Sequence, residues 1–213
     1  MIRFLLKTPR STYLFISTLV FIFISPLLIE SEFAKFVRLF VYSFIFITTI
    51  FAIKDKSKIL RYVLYSAVLL QFILFFSDNK AVAIGIFTIT GIVFTFVTGL
   101  LIKQIARTKS ISFEIMLEAI SGYLLLGIVS TILNTIVLLF NHNALSINET
   151  GQWGEILYYS FITLTTIGYG DILPLSPMAR NISVFTGIVG QLYLTIIIAL
   201  IIGKLSSNQE HKK

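Results

Sequence analysis

Six long apolar runs dictate what this chain can fold into. They cover Ser11–Ile29, Phe33–Ile53, Ile59–Phe76, Ala81–Ile102, Ala119–Phe140 and Met178–Gly203. Each is near the ~20 residues that a helix needs to cross a bilayer. Inside lipid every backbone N–H and C=O must find its partner within the protein, so runs of this kind form helices. The wider composition agrees, with 56% hydrophobic residues and 20 Phe among 213. An all-α, multi-pass membrane protein with six transmembrane helices is therefore expected. Arg3, Lys7 and Arg10 precede the first run as they would in a secretory signal. That run is long for a signal and no small-x-small site follows promptly, so an uncleaved helix is expected.

Charge placement orients these helices. Arg3, Lys7, Arg10, Lys54, Lys56, Lys58, Arg61, Lys103, Arg107, Lys109, Lys204, Lys212 and Lys213 fall on the side of the N-terminus. Only Lys35, Arg38, Lys80 and Arg180 fall on the other. Cytoplasmic loops carry the excess of Lys and Arg, so both termini are expected in the cytoplasm. This also accounts for the net charge of +7 without nucleic acid. The chain has no Cys, and its two His, His142 and His211, have no ligand partner nearby in sequence. Disulfides are excluded and a resident metal is not expected. No constellation of acids, His or Ser suggests an enzyme, a cofactor or a small-molecule substrate.

The string Thr165-Thr166-Ile167-Gly168-Tyr169-Gly170-Asp171 breaks this apolar pattern. Before it, Trp153–Thr165 can form a helix of about three to four turns, too short to span and suited to a re-entrant loop. Glu155 would lie in its first turn, where the helix dipole favours an acid, and its other end would turn negative charge toward a cation. Gly168 and Gly170 accept positive φ at alternate positions, the condition for pointing successive carbonyls to one side. These residues resemble the selectivity filter of potassium channels, in which carbonyl rings replace the water around the ion. The resemblance is specific over Trp153–Gly203 and general over the helix before it. It implies potassium held at Thr166, Ile167, Gly168 and Tyr169, with no cofactor beyond the permeant ion. One chain supplies one filter loop where a ring needs four, so a homotetramer is implied.

The resemblance implies further roles. Tyr169 would pack its ring on pore-helix aromatics, here Tyr158 and Tyr159, with Trp153 also placed among the filter supports. Many members carry Trp at the Tyr158–Tyr159 place, so a hydrogen bond to the filter aspartate does not follow from the resemblance. Where some members have Glu behind the filter, this chain has Ile162. Gly190 lies nineteen residues past Asp171, where the inner-helix hinge glycine of the family falls. A hinge and a close helix approach both remain open for it. Leu194, Ile198 and Ile202 follow at i+4 steps, and four copies would form a hydrophobic gate. The remaining polar groups of this helix, Gln191 and Thr195, are candidates to face the cavity.

The first four runs occupy the place of a voltage sensor, but Ala81–Ile102 holds no charge. Without charges to move through the field, steep voltage dependence has no source. Gly91, Thr95 and Gly99 make a small-residue stripe suited to close packing. The expected organisation is a sensor-like bundle over 1–104, an amphipathic linker over 105–118, a pore domain over 119–205 and a cytoplasmic tail over 206–213. Asn148-Glu149-Thr150 is a glycosylation sequon, a pattern common by chance. The function expected is passive potassium conduction across a plasma membrane, prokaryotic in type, with membrane lipid and three further copies of the chain as partners. Rival readings are a non-selective cation channel and a membrane sensor or regulatory subunit with a silent pore.

Overall fold

Apolar runs become helices here with few exceptions. The computed structural model describes residues 9–27, 32–53, 58–75, 79–108, 111–147 and 153–210. Within them seven α-helices follow in order: α1 (Arg10–Ile24), α2 (Glu32–Ala52), α3 (Lys58–Phe75), α4 (Lys80–Arg107), α5 (Phe113–Phe140), α6 (Trp153–Leu164) and α7 (Pro177–Glu210). A 3₁₀ turn over Ser25–Leu27 extends α1. Helix starts are set locally where the sequence offers a cap. Asn79 Oδ1 accepts from the Ala81 N–H at 2.9 Å to open α4, and Ser112 Oγ accepts from the Ile115 N–H at 3.4 Å to open α5.

Among the described residues four stretches are long and apolar enough to cross a membrane: Arg10–Leu27, Lys80–Arg107, Phe113–Phe140 and Pro177–Lys204. The second and third apolar runs are also helical, as α2 and α3. Glu32, Lys35 and Arg38 fall in the first two turns of α2, which leaves Phe40–Ala52 as its apolar part. The result is an all-helical membrane protein.

The core sits where α1, α2, α4 and α5 meet, with Phe21, Ile45, Phe46, Phe94, Leu125 and Ile128 fully buried. The rings of Phe46 and Phe94 stack with centroids 4.6 Å apart and an interplanar angle of 1°. Small polar groups join the helices at depth, as in the 2.9 Å contact between Ser17 Oγ and Thr48 Oγ1. In lipid, where apolar burial gives helices no mutual attraction, packing and such bonds hold them together. Of the small-residue stripe, Gly91 meets a neighbouring helix. A Cβ at Gly91 would touch Ile132 of α5 at 3.4 Å, Thr95 bonds back to the Gly91 carbonyl, and Gly99 faces open space.

Helices reach into two of the expected segments. Within 105–118, α4 continues to Arg107 and α5 begins at Phe113. Ile105 and Ile115 are both buried in helix packing, whereas Phe113 and Met116 are exposed. The tail foreseen from residue 206 is helical as far as Glu210, as the end of α7. The sequon lies outside the described residues.

The first two helices grip the start of α6 through an aromatic cluster. Phe21 of α1 and Tyr42 of α2 have ring centroids 4.5 Å apart, and Trp153, at the start of α6, meets them at 6.0 and 6.1 Å. Pro26 lies beside them, 3.2 Å from where a Cβ on Gly154 would stand. Replacing Trp153 with Ala empties this cluster and is expected to cost about 3 kcal/mol. A thermal melt of the detergent-solubilised protein checks this. An unchanged midpoint would show that the cluster contributes nothing to holding α1 and α2 on α6.

Candidate functional site

The short helix α6 is built to be held by its neighbours. Its twelve residues make it roughly 18 Å long. Ile156, Leu157, Tyr159, Ser160, Ile162 and Leu164 are buried along it. Phe161 projects toward α5 at Gly127, where a Cβ would collide with its ring. Polar groups hold it as well. Asn134 Nδ2 of α5 donates to Ser160 Oγ at 3.0 Å, and Ser130 Oγ meets Thr186 Oγ1 of α7 at 3.0 Å. Three helices are thereby joined behind the 165–171 loop.

The loop itself has an alternating backbone. Thr166, Gly168 and Gly170 have φ of 59°, 54° and 80°, and no other described residue has positive φ. Gly168 and Gly170 were expected on the positive side; Thr166 was not. A left-handed threonine costs of order 1–3 kcal/mol and persists only when its surroundings fix it. Here the Thr166 N–H donates to the Thr163 carbonyl at 3.1 Å, and Gln191 Nε2 donates to Thr166 Oγ1 at 3.2 Å. The Gly168 N–H reaches back to the Ile162 carbonyl at 3.2 Å. Residues 166–171 are all exposed, Ile167 and Tyr169 among them.

Beyond the loop the chain is pinned again. Leu145 and Pro174 form an antiparallel bridge. The Ser146 N–H donates to the Leu173 carbonyl at 2.9 Å, and the Leu175 N–H to the Ala144 carbonyl at 2.8 Å.

The supporting residues divide their work differently from the expectation. Tyr158 donates its hydroxyl to Asp171 Oδ2 at 2.7 Å, so a phenol makes the bond that the resemblance left open. Tyr159 is buried, and its hydroxyl meets Ser183 Oγ of α7 at 2.5 Å. The two neighbours point about 100° apart on the helix, so they cannot face the same group. Tyr169 is 73% exposed within the single chain. Trp153 sits at the start of α6, against Phe21 and Tyr42, at the opposite end from the 165–171 loop.

The inner helix also departs from the expected face. Gly190 is buried, and a Cβ there would run into the Leu164 carbonyl oxygen. Close approach accounts for this glycine, and α7 runs unbroken through it. Leu194 is half-buried, whereas Ile198 and Ile202 are exposed. Steps of i+4 drift by roughly 40° each, so the four positions spread over about 120° instead of forming one line. The exposed line that passes beneath Thr166 is Gln191, Thr195, Ile198 and Ile202. Thus Ile198 and Ile202 share a face with Gln191, while Gly190 and Leu194 turn toward the neighbouring helices.

Two contacts escaped sequence reading. Tyr123 of α5 donates to the Leu164 carbonyl at 3.2 Å, and Tyr193 of α7 donates to the Ala119 carbonyl at 2.7 Å. Gly122 leaves the room that Tyr193 fills. The glycines of α5 were the available signal, since small residues in membrane helices mark close packing.

The fold and site define a class: an all-helical membrane protein whose C-terminal part sets a short, buried helix and a left-handed loop between two long helices. Residues 121–207 match the protein family described as ion channel. The chain is 32% identical over 92 residues to the intermediate conductance calcium-activated potassium channel protein 4 of Rattus norvegicus, covering 43% of this chain and 22% of that protein. It is 33% identical over 66 residues to two pore potassium channel c of Oryza sativa subsp. japonica, covering 31% and 14%. The chain thus spans less than a quarter of either relative. No solved structure matches it.

Gly190→Ala and Gly187→Ala test the close approach. A Cβ at Gly187 lies 4.0 Å from the Thr163 carbonyl oxygen, an ordinary contact. The Gly187→Ala variant is expected to melt as the parent does. The Gly190→Ala variant must push α7 away from backbone and is expected to lose about 1–3 kcal/mol of stability. Equal melting of the two variants would remove close approach as the reason for Gly190.

Proposed function

We propose that this chain forms a homotetrameric potassium-selective channel. In this reading α1–α5 and α7 all cross the membrane, α6 is re-entrant, and both termini lie in the cytoplasm of a cell whose plasma membrane it occupies. Residues 165–171 from four copies line the filter. Carbonyls of Thr166, Ile167, Gly168 and Tyr169, with the Thr166 hydroxyl, take the place of the ion's water. The observation that carries the reading is the alternation of left-handed residues at Thr166, Gly168 and Gly170, immediately after a helix whose negative end faces the loop. The match of residues 121–207 to an ion channel family supports it, as do the two potassium channels among its relatives.

The bundle formed by α1–α4 has no charge between Ala81 and Ile102, so conductance is expected to change little with voltage. The protein carries the ion passively, with no cofactor and no catalysis.

Purified protein in liposomes under opposed potassium and sodium gradients tests the proposal. The reversal potential is expected near that of potassium. A value near zero would mean a non-selective channel, and no current at all would favour a sensor or a subunit with a silent pore. Gly170→Ala is expected to abolish selective current, because a Cβ opposes φ of 80°.

The exposed Ile198 and Ile202 would form the narrowest ring of the closed pore, where apolar walls exclude water. Ile202→Asn and Ile198→Asn are expected to wet that ring and raise the resting open probability in single-channel records. If neither does, the closed state is set at the filter.

A further inference from the structure

We propose that the C-terminal end of α4 binds a phosphate-bearing anionic headgroup, that of a membrane lipid. An open cleft of about 410 Å³ lies between this end and the end of α2, lined by Ile53, Leu100, Lys103, Gln104, Arg107 and Thr108. Lys103 and Arg107 are exposed one turn apart, and no ion pair joins either to an acid among the described residues. Like charges at i and i+4 repel, so an anion between them relieves a cost already present in the fold.

A helix C-terminus ordinarily repels anions through its free carbonyls. Here Lys204 of α7 cancels that repulsion. Its ammonium donates to the Ala106 carbonyl at 2.8 Å and also to the carbonyls of Ile105 and Thr108. Three donors meet three acceptors, so the cleft presents net positive charge. Gln104 Nε2 donates to the Ala52 carbonyl at 3.3 Å and fixes the two walls relative to each other.

The cleft's shape favours a lipid over a free ion. Leu100 lies one turn deeper than Lys103, and buried Ile53 adds to an apolar floor below the cations. Basic pockets between membrane helices on the cytoplasmic side hold anionic headgroups in this way. The same turn of α4 is clamped by Lys204, so a bound headgroup also bears on the end of α7 that follows Ile198 and Ile202.

The inference rests on the reading that α4 spans a membrane, and not on which ion passes. The protein, purified in detergent, is titrated with phosphatidylglycerol, phosphatidylcholine or inorganic phosphate and followed by native mass spectrometry. Phosphatidylglycerol is expected to bind about thirty-fold tighter than phosphatidylcholine, equivalent to about 2 kcal/mol from two cations. The double variant Lys103→Gln, Arg107→Gln is expected to lose that preference and Lys103→Arg to keep it. Both altered residues are exposed, so an unchanged melt is the expected control. Lys212→Gln with Lys213→Gln removes equal charge elsewhere and is expected to leave the preference intact. Equal binding of the two lipids, or equal loss in both double variants, would overturn the site. Displacement of phosphatidylglycerol by millimolar phosphate would overturn the lipid assignment and make free phosphate the occupant. A silent pore in liposomes with the lipid preference retained would sink the conduction reading alone.

Discussion

The Leu164 carbonyl is where α6 and the 165–171 loop are fastened. Backbone that is not continuous helix survives at membrane depth only if protein or a water-filled cavity surrounds it. Helix α6 ends at Leu164, and its last carbonyls would otherwise stand free. Tyr123 of α5 donates to this oxygen, and α7 comes so close at Gly190 that no side chain fits between them. The Thr165 N–H and hydroxyl close the carbonyl of Phe161, three residues further back. The left-handed loop begins from this fixed point, and the strain at Thr166 is tolerable because Thr163 and Gln191 hold it there.

The bundle touches this assembly at its two ends. At one, Phe21, Tyr42 and Pro26 receive Trp153 and Gly154 at the start of α6. At the other, Lys204 near the end of α7 caps the carbonyls that finish α4. Between them α4 lies along α5 through Gly91 and Ile132. The bundle is thus mechanically joined to both the helix behind the loop and the helix beneath it. Any shift of α4 has a physical route to α7 through Lys204.

Much of the loop was legible because its backbone conformation follows residue type. Gly168 and Gly170 announce left-handed φ through their type, and both adopt it. The extent of α6 could be read from the break in apolar length between two spans. Thr166 could not be read this way, since threonine disfavours the conformation and only its hydrogen-bond partners impose it. That Trp153 meets Phe21 and Tyr42 could not be read, because sequence position says nothing about which end of a helix meets which neighbour. Gly190 looked equally like a hinge and a packing notch until the Leu164 carbonyl lay opposite it.

Sequence by itself determined the apolar helices, the polar loop that interrupts them and the absence of charge along Ala81–Ile102. Those follow from solvation and local backbone preference, which each residue carries wherever the chain goes. Tertiary structure decided which face of α7 passes under Thr166, which tyrosine meets Asp171, and that Lys204 reaches the end of α4. In a helix that is apolar all round, periodicity carries no address. The rotation of α7 is set instead by a glycine against a carbonyl and by a tyrosine filling the space that Gly122 leaves. Lys204 and Ile105 lie ninety-nine residues apart in the chain, and they meet only because α7 packs back along α5 toward the end of α4.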